Sequence, residues 1–300
     1  MTVIKTVTTY KYDCMQGKPL ADIADIVPVI SSFTEYDRDG NTLTEIAYTN
    51  NGKIEHKSEY KYNEKGLLVE ETLINDEGFV DEKKRYEYDE KDRQIKEFLI
   101  YLDESFDTSV YKYNDSGKLI EKITTDDDGE PESKKEYKYE KDKLISETLY
   151  DAQGNILNQT THIYDENGNE TQVTRYEAKD ETTLRTEYTY NDEGKRTELL
   201  AYNSDNKLII IHLFKENEKG DLIELVEENQ SGKNTTAFTY DEKGNLTEQL
   251  ETNKAGELNS RIIKKFDDNN NLSEIDVTID RHGAGLNQNY IIHYEYEYYI

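Results

Sequence analysis

The sequence predicts an all-β fold: an elongated, twisted or spiralling antiparallel sheet, largely of one layer, made of about eleven tandem β-hairpins with a period of about 26 residues. Three observations predict it. A Tyr-Asp step recurs every 24 to 26 residues, and turn-forming residues alternate at spacings of 12 and 14. Between the turns, side chains alternate in polarity with period two and are rich in Tyr, Thr, Ile, Leu and Val, as in β-strands.

The repeated step is a position, usually Tyr, that is followed in most units by Asp or Asn. Its occurrences are Tyr12, Tyr36, Tyr62, Tyr88, Tyr113, Tyr139, Tyr164, Tyr190, Glu216, Tyr240 and Phe266. We expect each hairpin to contact mainly its neighbours, so that the sheet grows like a β-solenoid within one domain, 1–300. Residues 1–35 are predicted as an irregular N-terminal cap and first repeat, 36–280 as regular hairpin repeats, and 281–300 as a C-terminal capping strand.

The predicted turns are marked by residues that tolerate positive φ. Stretches such as Asn63–Gly66 and Asp241–Gly244 suit a type I turn followed by a left-handed bulge residue. The turn glycines are Gly40, Gly52, Gly66, Gly78, Gly117, Gly129, Gly154, Gly168, Gly194, Gly220, Gly232, Gly244 and Gly256. The segment Ala21–Val27 departs most from the pattern and is interpreted as a cap.

A ladder of tyrosines runs along the predicted sheet. Within a Tyr-x-Tyr pair both rings lie on one face, because strand side chains alternate. Stacked rings could bind sugars or peptides, but aromatic cross-strand contacts that stabilise the sheet by about 0.2–1 kcal/mol each are the favoured interpretation. The ladder residues are Tyr36, Tyr60, Tyr62, Tyr86, Tyr88, Tyr111, Tyr113, Tyr137, Tyr139, Tyr164, Tyr188, Tyr190 and Tyr240.

A second ladder consists of acids four or five residues after the turn position. Lysines between the tyrosines, such as Lys61 and Lys112, could lie beside these acids and offset their repulsion, whereas a slip of one residue would move them to the opposite face. A structural Lys–Glu–Tyr lattice is favoured over an evolved binding face. The candidate binding-face acids are Glu70, Glu97, Glu121, Glu147, Glu198, Glu224, Glu248 and Glu274.

Composition limits both the core and the partners. Hydrophobic residues are only 34% and charged residues also 34%, so a thin architecture is favoured over a thick interior. The net charge of −28 repels nucleic-acid phosphate and anionic membranes. A basic protein or cationic ligand is electrostatically allowed, although acidity also simply keeps a large sheet soluble. No apolar run is long enough for a membrane-spanning helix, so no membrane insertion is expected.

Chemistry-bearing motifs are few. The five histidines fall in different units without the short spacing of metal ligands, and the single Cys14 excludes an internal disulfide. The acid-rich stretches Asp126–Gly129 and Asp267–Asn271 do not fit a calcium loop and are interpreted as solvated turns. We therefore expect no cofactor, no metal and no enzymatic activity. The histidines are His56, His162, His212, His282 and His293.

The segments Tyr36–Asn41, Tyr164–Asn169 and Tyr240–Leu246 carry the Tyr-Asp core through which the chain resembles Rhs/YD-repeat proteins over roughly residues 10 to 296. The period is also similar to hairpin arrays of the MORN kind. The Rhs/YD resemblance implies a bacterial cell-surface or secreted protein with functions in toxin encapsulation, adhesion or binding. Encapsulation is not expected, since the unit is longer than the usual Rhs repeat and the sequence contains no recognisable toxin segment.

Two function classes follow, both non-enzymatic. The first is a surface or secreted scaffold that binds an unknown protein or glycan ligand through its extended sheet. The alternative is an acidic immunity protein that neutralises a basic toxin in the cytoplasm. Met1–Val7 does not resemble a signal peptide, so the surface location requires a lost leader. The strand Tyr290–Ile300 is apolar enough on one face to suggest self-association through a free edge.

Overall fold

The computed structural model describes residues 3–13, 26–283, 285 and 287–300, and these form 22 β-strands. Cys14 and most of the predicted cap Ala21–Val27 lie outside the described residues. The strands are β1 (Ile4–Asp13), β2 (Val29–Tyr36), β3 (Thr42–Tyr48), β4 (Ile54–Tyr62), β5 (Leu68–Asn75), β6 (Val80–Tyr88), β7 (Gln94–Ile100), β8 (Phe106–Tyr113), β9 (Leu119–Thr125), β10 (Pro131–Glu140), β11 (Lys143–Asp151), β12 (Ile156–Tyr164), β13 (Glu170–Glu177), β14 (Thr182–Tyr190), β15 (Arg196–Tyr202), β16 (Leu208–Glu216), β17 (Leu222–Asn229), β18 (Gly232–Tyr240), β19 (Leu246–Asn253), β20 (Leu258–Phe266), β21 (Leu272–Ile279) and β22 (Gln288–Tyr298).

The chain divides into two units, residues 1–85 with 235–300, and residues 86–234. In the first unit, antiparallel pairs run without interruption from β19 through β20, β21 and β22 to β1, and onward from β1 to β6. In the second unit they run from β7 to β17. Consecutive strands therefore form hairpins, and the fold is an all-β, repeat-like architecture.

The predicted open ribbon is wrong, because the first and last strands pair with each other. Strand β1 pairs with β2 on one side and with β22 on the other, where Thr8 lies opposite Glu295 and Tyr12 opposite Ile291. All 22 strands belong to one sheet. Its topology is that of a closed antiparallel β-barrel, neither an open spiral nor a β-solenoid. Closure satisfies the backbone N–H and C=O groups that an open ribbon leaves unpaired at its two edges.

The same pairing corrects the expectation of a free C-terminal edge. Strand β22 is bonded to β21 through residues such as Ile292, which lies opposite Ile275, and to β1 through Tyr296, which lies opposite Val7. Both sides of the strand are occupied. The proposed strand-to-strand association through Tyr290–Ile300 therefore has no unpaired edge to use.

Burial is shallow throughout the described sheet. The buried hydrophobic residues are Val173, Ala201, Val277 and Ile291, and small hydroxyl residues such as Thr148 account for most of the other buried positions. Most strand residues are half-buried. Stability must therefore come from many modest contacts between neighbouring strands, and hydrogen bonds that tie neighbouring strands together carry a large share of it.

Candidate functional site

The Tyr-Asp step forms a turn whose tyrosine is hydrogen-bonded to the neighbouring strand. Tyr164 ends β12, and its hydroxyl donates to the carbonyl of Leu144 on β11 at 2.9 Å. Asp165 then caps the turn: its Oδ1 accepts the Asn169 N–H at 2.8 Å, and its backbone carbonyl accepts the Gly168 N–H at 3.1 Å. Gly168 has a φ of +90°, which favours glycine. Tyr fixes the strand end, and Asp and Gly reverse the chain.

The same hydroxyl-to-carbonyl bond recurs at strand ends in both units, with distances between 2.6 and 2.9 Å. The tyrosine hydroxyl gives the backbone carbonyl a hydrogen-bond donor at a place where the half-buried ring limits access of water. Burial raises the pKa of Tyr139 above its ordinary value, so the hydroxyl stays a donor. The pairs are Tyr62 with Thr42, Tyr113 with Gln94, Tyr139 with Leu119, Tyr164 with Leu144, and Tyr190 with Glu170.

The first tyrosine of a Tyr-x-Tyr pair uses a different partner. The Tyr60 hydroxyl donates to Glu45 Oε2 at 2.8 Å, and the Tyr111 hydroxyl donates to Glu97 Oε2 at 2.6 Å. Burial and the bond to Glu45 raise the pKa of Tyr60 to about 12. The ladder tyrosines therefore contact carboxylates and carbonyls across the strands, and not mainly one another.

The other ladder tyrosines are placed as follows. Lys135 Nζ lies 5.2 Å from the ring centre of Tyr137, and Arg196 Cζ lies 3.9 Å from the ring centre of Tyr188. The Tyr36 carbonyl accepts the Tyr299 hydroxyl at 2.5 Å. Tyr86 and Tyr88 lie on β6, and Tyr240 ends β18.

A basic residue after the turn often covers the next tyrosine along the sheet. Lys118 Nζ lies 5.1 Å from the ring centre of Tyr139, and Lys143 Nζ lies 4.6 Å from that of Tyr164. At Glu216, which stands where other units have Tyr, the corresponding Lys195 forms an ion pair of 2.8 Å. A cation–π contact is thus exchanged for a salt bridge at the same place, and the cation is part of the framework.

The turn glycines all have positive φ. Twelve of them have φ between +76° and +91°, and Gly232 has +149°. In several turns Asp or Asn occupies the left-handed position instead, as at Asp92 and Asn206. The glycines that share the narrow range are Gly40, Gly52, Gly66, Gly78, Gly117, Gly129, Gly154, Gly168, Gly194, Gly220, Gly244 and Gly256.

The strand register divides the acid ladder between two faces. Glu70, four residues after its turn glycine, lies opposite Lys61, whereas Glu147, five residues after Asp142, lies opposite Tyr137. One extra residue moves a side chain to the other face. Most of the acids whose register is described lie on the face opposite the tyrosine rings. Glu97 lies on the tyrosine face, because it is opposite Ser109, two residues before Tyr111. The acids on the other face are Glu121, Glu198, Glu224 and Glu274.

Glu70 is the most heavily paired of these acids. Its side chain is 13% exposed and lies 2.7 Å from Lys61 Nζ, 2.9 Å from Lys83 Nζ and 3.1 Å from Arg85 Nε. Burial opposes ionisation, but the hydrogen bonds from the three cations lower the pKa of Glu70 to about 2. Similar cross-strand pairs join Lys112 to Glu121, Lys135 to Glu147, Arg261 to Glu248 and Lys265 to Glu274.

The histidines remain separate in the described structure. His162 Nδ1 contacts Glu170 Oε1 at 2.7 Å, its ring stacks on Tyr164, and its buried Nε2 has no hydrogen-bond partner. His212 Nε2 lies 3.5 Å from Glu227 Oε1, and the backbone N–H of His282 donates to Asp280 Oδ1 at 2.8 Å. Among residues 3–13, 26–283, 285 and 287–300, no group of three or more His, Cys, Asp or Glu could hold a metal ion.

The two acid-rich stretches are both turns. Asp126 Oδ1 accepts the Glu130 N–H at 2.8 Å, and Asp267 Oδ1 accepts the Asn271 N–H at 2.8 Å. In each case the first acid is used by the backbone of its own turn. No helix within the described residues is long and apolar enough to cross a membrane.

No family model and no curated protein matches the chain, whereas solved structures do. A crystal structure of TcdB2-TccC3 has 11% identity and a TM-score of 0.42, covering 90% of this chain and 18% of its own. A porin-like protein from Bacteroides uniformis has 10% identity and a TM-score of 0.33, covering 99% of both chains. A protein of unknown function from Bacteroides fragilis has 12% identity and a TM-score of 0.13, covering 53% of this chain and 88% of its own.

The chain thus spans less than a fifth of the TcdB2-TccC3 chain that it resembles. At these scores, the likeness assigns neither a family nor an activity to the chain. The resemblance to Rhs/YD repeats rests on the Tyr-Asp motif of the sequence.

Proposed function

We propose that the chain is a non-enzymatic binding scaffold of a bacterial surface or secreted repeat protein. One observation carries the proposal: the side chains that recur through the repeats form bonds within the sheet and its turns. Tyr164 bonds a backbone carbonyl, Asp165 caps its own turn, and Glu70 pairs with three cations. Recognition then falls to the residues that differ between units.

The exposed side chains of the turns are among those variable residues. The segments 89–93, 126–130 and 165–169 share a backbone hydrogen-bond pattern but present different exposed side chains. A rigid array of strands that carries variable turns is a common arrangement for binding proteins. Their mostly acidic composition favours a partner with positive charge over nucleic acid or an anionic membrane.

The net charge of −28 favours a second candidate, an immunity protein that neutralises a basic toxin. A toxin gene beside this gene, together with tight binding to its product that weakens as salt screens the charges, would support it. A lipoprotein or secretion leader upstream of the sequence would instead support the surface scaffold.

Binding by the full chain tests the scaffold proposal. The purified protein is immobilised and exposed to panels of basic proteins, acidic proteins, basic amphipathic peptides and neutral glycans, with surface plasmon resonance as the readout. We expect saturable binding within one class of probe. Absence of binding in every panel would contradict the proposal. Robust turnover of a glycan or peptide substrate that is lost on substitution of a single acid would replace it with an enzyme.

A further inference from the structure

The turn between β7 and β8 departs from the regular turn pattern, as does the turn that Ala178 begins, where Glu181 has a φ of +51°. The regular turn Asp151–Asn155 has an Asp whose Oδ1 accepts two backbone N–H groups at 2.9 and 2.8 Å, and it has Gly154 at positive φ. In the turn Tyr101–Ser105, Tyr stands in place of the capping Asp. Glu104 occupies the left-handed position with a φ of +70°.

The backbone of this turn nevertheless follows the same path. The Tyr101 N–H donates to the Ser105 carbonyl at 2.9 Å, and the Glu104 N–H donates to the Tyr101 carbonyl at 3.1 Å. The sequence thus lacks the capping side chain at the first position and the left-handed glycine, without a change in the turn, and Asp103 Oδ1 accepts the Ser105 N–H at 3.2 Å instead. Residues that break a local rule in this way are expected where function selects them.

The residues introduced here are apolar and exposed. Leu102 is 73% exposed at the tip, Tyr101 is 43% exposed and Phe106 is 39% exposed. The Phe106 ring packs edge-on against Phe98 with ring centres 6.0 Å apart, so the apolar surface has a fixed base. Binding becomes more favourable when a partner covers such an exposed leucine, because apolar surface is removed from water.

Acidic residues lie in this turn and in the neighbouring turn that follows β9. Thr108 lies opposite Thr125 across β8 and β9, which places Asp107 beside the start of the turn 126–130 at the same edge of the sheet. The segments 101–107 and 126–132 together hold eight acids and no Lys or Arg. The acids are Asp103, Glu104, Asp107, Asp126, Asp127, Asp128, Glu130 and Glu132.

We propose that the turn Tyr101–Phe106, with the acidic turn 126–130 beside it, is a docking surface for a basic amphipathic segment of a partner protein. This inference rests on the binding function proposed above and names the partner's chemistry. Apolar side chains of the segment cover Leu102 and Tyr101, while its Lys or Arg side chains face the eight acids. A second copy of the chain is disfavoured, because it would bring two acidic surfaces together.

Isothermal titration calorimetry on the full chain tests the surface with a short amphipathic helical peptide of leucine and lysine. The variant is Leu102→Ser, and the matched control is Ile163→Ser, which removes a side chain that is 52% exposed elsewhere in the same unit. Titrations at about 0.15 M salt limit non-specific attraction. Unchanged urea midpoints establish that both variants are folded.

We expect Leu102→Ser to weaken peptide binding by about fivefold to tenfold, and Ile163→Ser to change it by less than about twofold. A peptide with serine in place of leucine should bind both variants and the parent equally weakly. Equal effects of the two substitutions would overturn the docking surface.

Three further outcomes show how this inference and the proposed function stand or fall. If the parent chain does not bind the leucine–lysine peptide but binds another probe of the panels, the docking surface is overturned and the scaffold stands. If no probe binds, both proposals fail. If light scattering shows a dimer that Leu102→Ser dissociates, the occupant is a second copy, which also overturns the inference.

Discussion

Tyr164 and Tyr101 show how one residue type serves two purposes in this chain. Tyr164 ends a strand, its hydroxyl donates to the Leu144 carbonyl, and Lys143 covers its ring. Tyr101 begins a turn, is 43% exposed, and its hydroxyl donates to Asp107 on the other strand of the same hairpin. The difference teaches that a tyrosine before Asp stabilises the sheet, whereas a tyrosine in place of Asp makes a turn available to a partner.

The largest expected effect on stability comes from removing each of the two tyrosine rings in a separate variant. Tyr164→Ala should lower the free energy of unfolding by about 3 kcal/mol, because it deletes a half-buried ring and leaves a carbonyl unpaired. Tyr101→Ala should lower it by less than about 0.5 kcal/mol. Urea unfolding followed by circular dichroism measures both. Equal losses would show that the two tyrosines do not differ in role.

The comparison extends to acids. Glu70→Gln should lower the free energy of unfolding by about 1–2 kcal/mol at neutral pH, since Lys61, Lys83 and Arg85 lose their shared partner. Glu64→Gln, in an exposed turn, should have little effect. Urea midpoints at neutral pH measure both changes.

The effect of Glu70→Gln should also depend on pH. The folded-state pKa of Glu70, about 2, is below its ordinary value of 4.5. The ion pairs therefore stabilise the fold fully above pH 4.5, and this stability is lost as the pH falls toward 2. The difference between the parent chain and Glu70→Gln should shrink over that range. A difference that stays constant would exclude the ion pairs as its cause.

Substitutions at the left-handed position of the two turns should change the free energy of unfolding in opposite directions. Gly154→Ala should lower the free energy of unfolding by about 1 kcal/mol, because a φ of +81° disfavours any side chain. Steric contact is not the cause, since an added Cβ would meet no atom of the surrounding residues within 4 Å. Glu104→Gly should raise it by about 0.5 kcal/mol, since Glu104 has a φ of +70°. Thermal unfolding would detect both changes, and a loss at Glu104→Gly would contradict the reasoning.

The smallest expected effect comes from restoring the turn cap. Tyr101→Asn supplies the side-chain acceptor that Asp151 provides in the regular turn, and should raise the free energy of unfolding by a few tenths of a kcal/mol. The same variant should bind the leucine–lysine peptide more weakly. A more stable variant with unchanged peptide binding would separate the turn from recognition.

The sequence predicts the local structure well, because hairpins are determined by residues close in the chain. The period and the Tyr-Asp turns follow from turn chemistry and alternation. Closure could not be predicted, because it depends on how strand twist accumulates over the whole sheet. The β22 segment therefore suggested a free edge, although its partner lies almost at the other end of the chain.

The acid ladder and the docking turn show a finer limit. Glu97 and Glu121 occur at nearly the same distance from their turns, yet one residue of difference places them on opposite faces. Only the register reveals which lysine each acid meets. The turn Tyr101–Ser105 could have been found from sequence, since Tyr-Leu stands where most turns have Asn or Asp. Its exposure, however, required the structure.

The pairing of β1 with β22 has a consequence for how the protein forms. Most hairpins join residues close in sequence, but Tyr10 meets His293 only after the intervening chain has been ordered. Such a distant contact has a high entropic barrier and should be the slow step of assembly. Until it forms, two unpaired strands are open to other molecules, so yield on refolding should fall as protein concentration rises.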